Sequence, residues 1–556
     1  MFGFFRILKK AVTYSSRGQS KQKQRTADPG QPEQQALSKS LPTNLRQIKE
    51  ILAGCADVVY REFVIAQKDE IRAVLIYVDG MIDKGQASFQ IMKTLMMDIS
   101  MVEEGERINP HNVLETVVER ALTIHQLEQY HNLPDVINGI LDGDIALLID
   151  GYATALLCGA RAWESRSVEE PTSESVVRGP REGFVETLRT NITQVRRRIK
   201  SPDLKVMMLK IGRYTRTDVA LMYIRGIADE KLVAEVKSRL QQVQVDGVLE
   251  SGYLEELIED RPGSIFAQIK RTERPDKACA DLLEGKVAIL VDGTPFAMTV
   301  PLLFTAELQS AEDYYERYYY GSAIRMVRFL AMVLALTLSS VYIAIVSFHQ
   351  EMLPTPLLIR VAGQREAVPL PVIMETILME MVFEILREAG VRLPRQVGQA
   401  VSIVGGLVMG DAAVRAGLVA PTTVIVVALS GISSFAIAGY SAAISIRLLR
   451  FPMMVAGGTL GLFGVMAVII AIFIHLASLR SFGVPYLSPV APLTLRDLKD
   501  ATNRAPWWAM RTRPRVIGYR NPQRQAPNLK PGRPAEQSQK QKTASASHRY
   551  RRQRGE

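Results

Sequence analysis

Residues 329 to 348 run for 20 positions without a charge. As a helix, such a run reaches about 30 Å, the thickness of a bilayer's hydrocarbon layer. Tyrosines at 314, 315 and 318 to 320, with Arg325 and Arg328, stand directly before it. That is the pattern of an interfacial belt with its basic residues on the cytoplasmic side. Further apolar runs cover 397–418, 422 to about 440, and 452 to about 479. The expectation is an α-helical, multi-span membrane domain over 321–485, with four spans. An even number of spans returns the chain to the side it left.

The rest of the chain has a different character. Charged residues make up 22% of the whole, too many for a protein that lies entirely in lipid. The net charge of +11 is uneven: from Arg504 onward there are 14 Lys/Arg against two acidic residues. Residues 486–556 therefore read as a basic, largely disordered tail that meets anionic lipid heads. A nucleic-acid partner is not expected. This topology leaves the basic "RLLR" of 447–450 on the outer side. At the other end, residues 1–44 combine a short amphipathic opening, "MFGFFRILKKAV", with a Ser-, Gln-, Lys- and Pro-rich stretch that reads as a linker.

Between these lies a repeat. "RAVLIYVDGMID" (72–83) aligns with "DVALMYIRGIAD" (218–229), keeping Tyr77 with Tyr223 and Gly80 with Gly226. "LDGDIALLIDG" (141–151) aligns with "LEGKVAILVDG" (283–293), keeping Asp150 with Asp292. Apolar runs closed by Gly turns alternate with helically spaced segments. Two related α/β subdomains are expected, at 45–165 and 200–320, joined by a connector at 166–199. Aspartates before turn glycines ordinarily bond nearby backbone amides. No nucleophile–base pair or phosphate loop accompanies them, so no catalytic residue is assigned. Cys55, Cys158 and Cys279 match no metal spacing, the six histidines do not cluster, and no metal or cofactor is expected.

Two stretches of the apolar half carry candidate function. "ILMEMVFEILREAG" (377–390) lies in an amphipathic helix expected at 371–390. Thr376, Glu380, Glu384, Arg387 and Glu388 fall within about 120° of one another on that helix. A lipid-adsorbed helix is usually basic on its polar face, and this one is acidic. It fits better against water or an ion path, with Glu380, Glu384 and Glu388 attracting cations. In the span that follows, Gln399, Ser402, Gly406, Met409, Gly410 and Ala413 share a stripe of mostly small or polar side chains. Tight helix packing and the wall of a narrow pore both require such a stripe.

Longer motifs carry a family resemblance. "EPTSESVVRGPREGFVETLRTN" (170–191), "TERPDKACADLLEGKVAILVDGTPF" (272–296), "VSFHQEMLPT" (346–355) and "SFGVPYLSP" (481–489) resemble the A subunit of GerA-type spore germinant receptors. The resemblance implies a multi-pass protein of the spore inner membrane whose N-terminal region is cytoplasmic. It implies a transporter-like B subunit and a lipoprotein C subunit as partners. It further implies a homo-oligomer, a pentamer, that conducts monovalent cations and triggers germination. Under it the stripe at 399–413 becomes pore lining. A non-conducting, signal-transmitting scaffold, or an accessory paralogue of the germination machinery, is the alternative.

Overall fold

The computed structural model describes residues 35–65, 71–97, 113–118, 126–162, 171, 174, 176–392, 410–501 and 503–532. The first α/β unit contains α1 (Leu41–Ile51), β1 (Val58–Val64), β2 (Arg72–Val78), β3 (Leu127–Tyr130), α2 (Leu133–Asp142), β4 (Ile145–Ile149) and β5 (Ala155–Cys158). The second contains α3 (Leu188–Arg198), β6 (Leu204–Ile211), β7 (Thr217–Ile224), α4 (Glu230–Gln242), α5 (Ser251–Ile258), β8 (Lys270–Thr272), α6 (Pro275–Glu284), β9 (Val287–Val291) and β10 (Ala297–Val300).

The two sheets have the same strand order, β1-β2-β4-β5-β3 and β6-β7-β9-β10-β8, with every neighbouring pair antiparallel. Register is kept as well. Val59 pairs Tyr77 where Lys205 pairs Tyr223, and Val74 pairs Leu148 where Ala220 pairs Leu290. Alternation along the central strands explains this fidelity. Ile145, Leu147 and Ile149 enter one core layer while Ala146 and Leu148 enter the other, and Val287 to Val291 divide the same way. A one-residue slip would exchange both sets at once.

The Asp-Gly turns serve this architecture. Asp150 Oδ1 accepts the Leu41 amide at 2.9 Å, and Asp292 Oδ1 accepts the Leu188 amide at 3.0 Å, so each closes the first turn of the equivalent helix. Gly151 and Gly293 follow at φ 91° and 87°, a conformation that glycine adopts without penalty. These contacts also move two expected boundaries. Helix α1 begins inside the segment expected to be a linker, with Leu37 and Leu41 buried, and α3 of the expected connector belongs to the second unit. Composition hid both, because α1 buries a single stripe within a polar sequence.

A buried ion pair fastens the units together. Arg196 of α3 bonds both oxygens of Asp57 at 2.9 Å, and neither side chain is more than 5% exposed. Arg196 Nη1 also reaches the Ser201 and Leu204 carbonyls.

The helical unit contains α7 (Tyr318–Phe348), α8 (Thr355–Arg365), α9 (Val372–Arg392), α10 (Pro421–Phe435) and α11 (Tyr440–Ser478), with a short helix over Gly410–Arg415. Among the described residues, α7 and, taken along its whole length, α11 are long and apolar enough to cross a membrane. Helix α11 is broken at Gly461, where φ is 62°. A Cβ on Gly457 would meet Val465 Cγ2 at 3.3 Å, and Leu449 shares an apolar cluster with Ile472. The last run thus folds back on itself as two antiparallel halves. Its proximal end packs on the second α/β unit, where Ser445 donates to the Ile265 carbonyl and His475 meets Ser264 at 2.9 Å.

The expected disordered tail differs from the structure over 486–501 and 503–532, which pack on the second unit. Asp500 accepts from Arg325, Arg513 donates to the Leu283 carbonyl, and Met510 and Ile517 are buried. Trp507 packs against Tyr314 with ring centres 5.9 Å apart. Ending the chain at residue 532 should leave the thermal unfolding midpoint unchanged. Ending it at residue 496 should cost about 2–3 kcal/mol, through lost apolar burial and an Arg325 left with Asp313 alone. Equal midpoints for the two truncations would show that the packed segment contributes nothing.

Candidate functional site

Helix α9 turns its polar stripe inward. Glu375, Thr376 and Glu380 are fully buried against neighbouring helices, whereas Met374, Leu378, Met381 and Ile385 are exposed. That is the reverse of a helix on a water-soluble protein. Amphipathicity announces a face; it does not say which medium the face meets.

The inward carboxylates are paired one by one. Glu375 accepts from Arg365 at 2.7 Å and from the Ala420 amide at 2.6 Å, holding the start of α10. Glu380 accepts from Ser339 of α7 at 2.8 Å and from Arg450 of α11, whose Nε donates to the Ala335 carbonyl. Glu384 lies between Arg387 at 3.4 Å and Arg447 at 3.3 Å. Arg387 also donates to Ser434 at 2.6 Å, with its guanidinium 4.2 Å from the Phe435 ring centre. Glu388 alone of the three candidate carboxylates is exposed, paired with Arg392. The structure therefore brings Glu380 and Glu384 together, compensated, and leaves Glu388 apart.

Of the stripe expected to line a pore, Gln399, Ser402, Gly406 and Met409 lie outside the described residues. Gly410 and Ala413 are half-buried on the short helix, where a Cβ on Gly410 would come 3.9 Å from Val424. Asp411 and Arg415 pair across one turn at 2.8 Å. The partners Ser339, Arg365, Arg447 and Arg450 were missed. Of "RLLR", which the expected topology leaves on the outer side, Arg450 is buried within the helical unit. The available signal was two arginines at i,i+3 beside a long apolar run.

A second cluster joins the helical unit to the α/β units. Arg325 of α7 bonds Asp313 at 3.2 Å and Asp500 at 3.0 Å, and Arg328 bonds Asp313 at 2.7 Å. Nearby, Glu255 of α5 faces Arg271 at 3.3 Å. Burial nevertheless pushes its carboxyl up to about 7, against the pull of Arg271. An acid that holds its proton more tightly when folded contributes full stability below its ordinary value of 4.5 and loses it as pH rises towards 7. Stability should fall across that window and then level. Glu255→Gln should flatten the fall in unfolding midpoint, and an unchanged pH profile would assign the titration elsewhere. Burial likewise pushes the Cys158 and Cys279 thiols up to about 12, far from thiolate chemistry at neutral pH. Among the described residues, no group of three or more His, Cys, Asp or Glu could hold a metal ion.

Comparison with known proteins gives the class to which this chain belongs: spore germination proteins. The family described as Bacillus/Clostridium GerA spore germination protein matches residues 46–516. Spore germination protein KA of Bacillus subtilis (strain 168) is 44% identical over 495 residues, 89% of this chain and 90% of that one. Spore germination protein GerLA of Bacillus cereus is 38% identical, covering 85% and 94% of the two chains. The uncharacterized membrane protein YfkQ of Bacillus subtilis (strain 168) is 41% identical, covering 88% and 94%. The crystal structure of the N-terminal domain of the A subunit of the Bacillus megaterium spore germinant receptor GerK3 matches at 36% identity and a TM-score of 0.39, covering 49% of this chain and 99% of that one. The chain belongs to the GerA family of spore germination proteins.

Proposed function

We propose that this chain is the membrane subunit of a nutrient-responsive spore germinant receptor, spanning the spore inner membrane several times with its α/β units on the cytoplasmic side. The observation that carries the membrane reading is the inverted α9, with charges inside and Met374, Leu378, Met381 and Ile385 outside. Only an apolar surrounding makes that arrangement favourable. The basic tail beside the proximal end supports the cytoplasmic orientation. The partners on this reading are a transporter-like B subunit and a lipoprotein C subunit.

The finer part of the reading is an oligomer, a pentamer, that conducts monovalent cations along the stripe from Gln399 to Ala413. Family membership and the small residues of that stripe support it. With Glu380 buried and Glu384 half-buried against arginines, Glu388, exposed in its surface pair with Arg392, is the candidate carboxylate open to cations. Cation flux through the receptor reconstituted in liposomes tests this directly. Gly406→Phe should abolish flux, or make it leak, at unchanged assembly. Equal flux from both forms would reject the pore assignment. A non-conducting scaffold is favoured by one observation, the Arg325–Asp313–Asp500 cluster that ties α7 to the segment leading into it and to the tail. Germination without flux would select it.

A further inference from the structure

We propose that Arg387, Arg447 and Arg450 form a binding site for one singly charged oxyanion at the proximal end of the helical unit. Three guanidinium groups there face two carboxylates, Glu380 and Glu384, which leaves one positive charge uncompensated. Three N–H groups of the same cluster have no acceptor among the described residues: Arg387 Nε, Arg447 Nε and Arg450 Nη2. The Arg450 side chain is 1% exposed, so bulk water does not replace the missing acceptor. A buried, charged donor without a partner is costly, and three in one cluster point to a shared ligand. Three N–H donors, one from each planar guanidinium, suit the several oxygens of a phosphodiester or carboxylate better than a spherical halide. A single negative charge balances the cluster, whereas a double charge would overshoot it. Arg387 and Arg447 keep 12% and 23% of their side-chain surface, which supplies the entrance, and Arg450 forms the floor.

Two sources share this chemistry. One is the phosphodiester of an anionic lipid, since Arg447 lies roughly 10 Å along α11 from its proximal end, near headgroup level if the helices span. That source rests on the membrane reading. The other is a dissolved carboxylate, which does not. The test is thermal unfolding of the full chain in neutral detergent, comparing acetate with chloride at equal ionic strength, and phosphatidylglycerol with phosphatidylcholine in the micelle. An oxyanion should raise the midpoint by on the order of 2–4 °C. Acetate acting alone identifies a dissolved carboxylate, and phosphatidylglycerol acting alone identifies lipid. Arg447→Gln should abolish the shift, as should Arg447→Lys, which keeps the charge facing Glu384 but lacks the fork. Arg392→Gln, at the exposed Glu388 pair, should retain it. No shift from either source, or the full wild-type shift retained in the Arg447 variants, overturns the proposal.

Discussion

Asp57→Ala should destabilise the α/β region by about 3–5 kcal/mol, because it strands a cation rather than deleting a contact. Arg196 is fully buried and directs Nε and Nη2 at the two Asp57 oxygens. Removing the carboxylate leaves two charged donors with neither protein acceptor nor water. Asp57→Asn keeps one acceptor and should cost less. Replacing both residues with apolar ones of similar volume should cost less still, since it removes the desolvated charges together. The exposed Arg46–Glu50 pair is the control: breaking it should change stability by less than about 0.5 kcal/mol. Urea unfolding of the full chain gives all four values. A cost for Asp57→Ala no larger than that of the control would remove the pair from any account of how the units are held together.

The second large effect lies at Glu380. Glu380→Ala should cost about 3–5 kcal/mol, read as loss of folded, monodisperse protein in detergent, because Arg450 would be stranded inside the helical unit. Arg450→Leu added to Glu380→Ala should restore much of the yield. Glu384→Gln should be milder, since Glu384 and Arg447 are each partly exposed. This ordering separates two roles for the stripe. A carboxylate that merely attracts cations can be neutralised without harm to folding, whereas a structural ion pair cannot. Rescue by Arg450→Leu is specific to the pair.

Much of the α/β half was legible because its signals are local. Alternating apolar residues set register, and the Asp-Gly endings mark strand termini, so the match of Tyr77 with Tyr223 and of Asp150 with Asp292 survives into matched pairing. Helix α1 was not legible at its start, since polar composition over 35–44 resembles a linker until β4 is present to bury Leu41. The helical half was legible as to which residues share a face, but not as to where that face points. Glu380 and Arg450 are 70 residues apart in sequence, and only the packing of α9 against α11 makes them one unit. The same holds for the tail, where Asp500, Arg504 and Trp507 gain meaning only from Arg325 and Tyr314.

The reversal at Gly461 has a consequence for what the distal end can offer. A Cβ at Gly461 would approach His349 Cε1 to 2.7 Å, so the turn is tight and seated against the end of α7. It therefore has no loop to project. At that end the described chain displays chiefly the stretch from His349 to Pro371 and the short passage from Ala416 to Pro421, which meet where Gly417 approaches Ala367. Among the described residues, the distal face is therefore built from connections between helices rather than from a domain of its own.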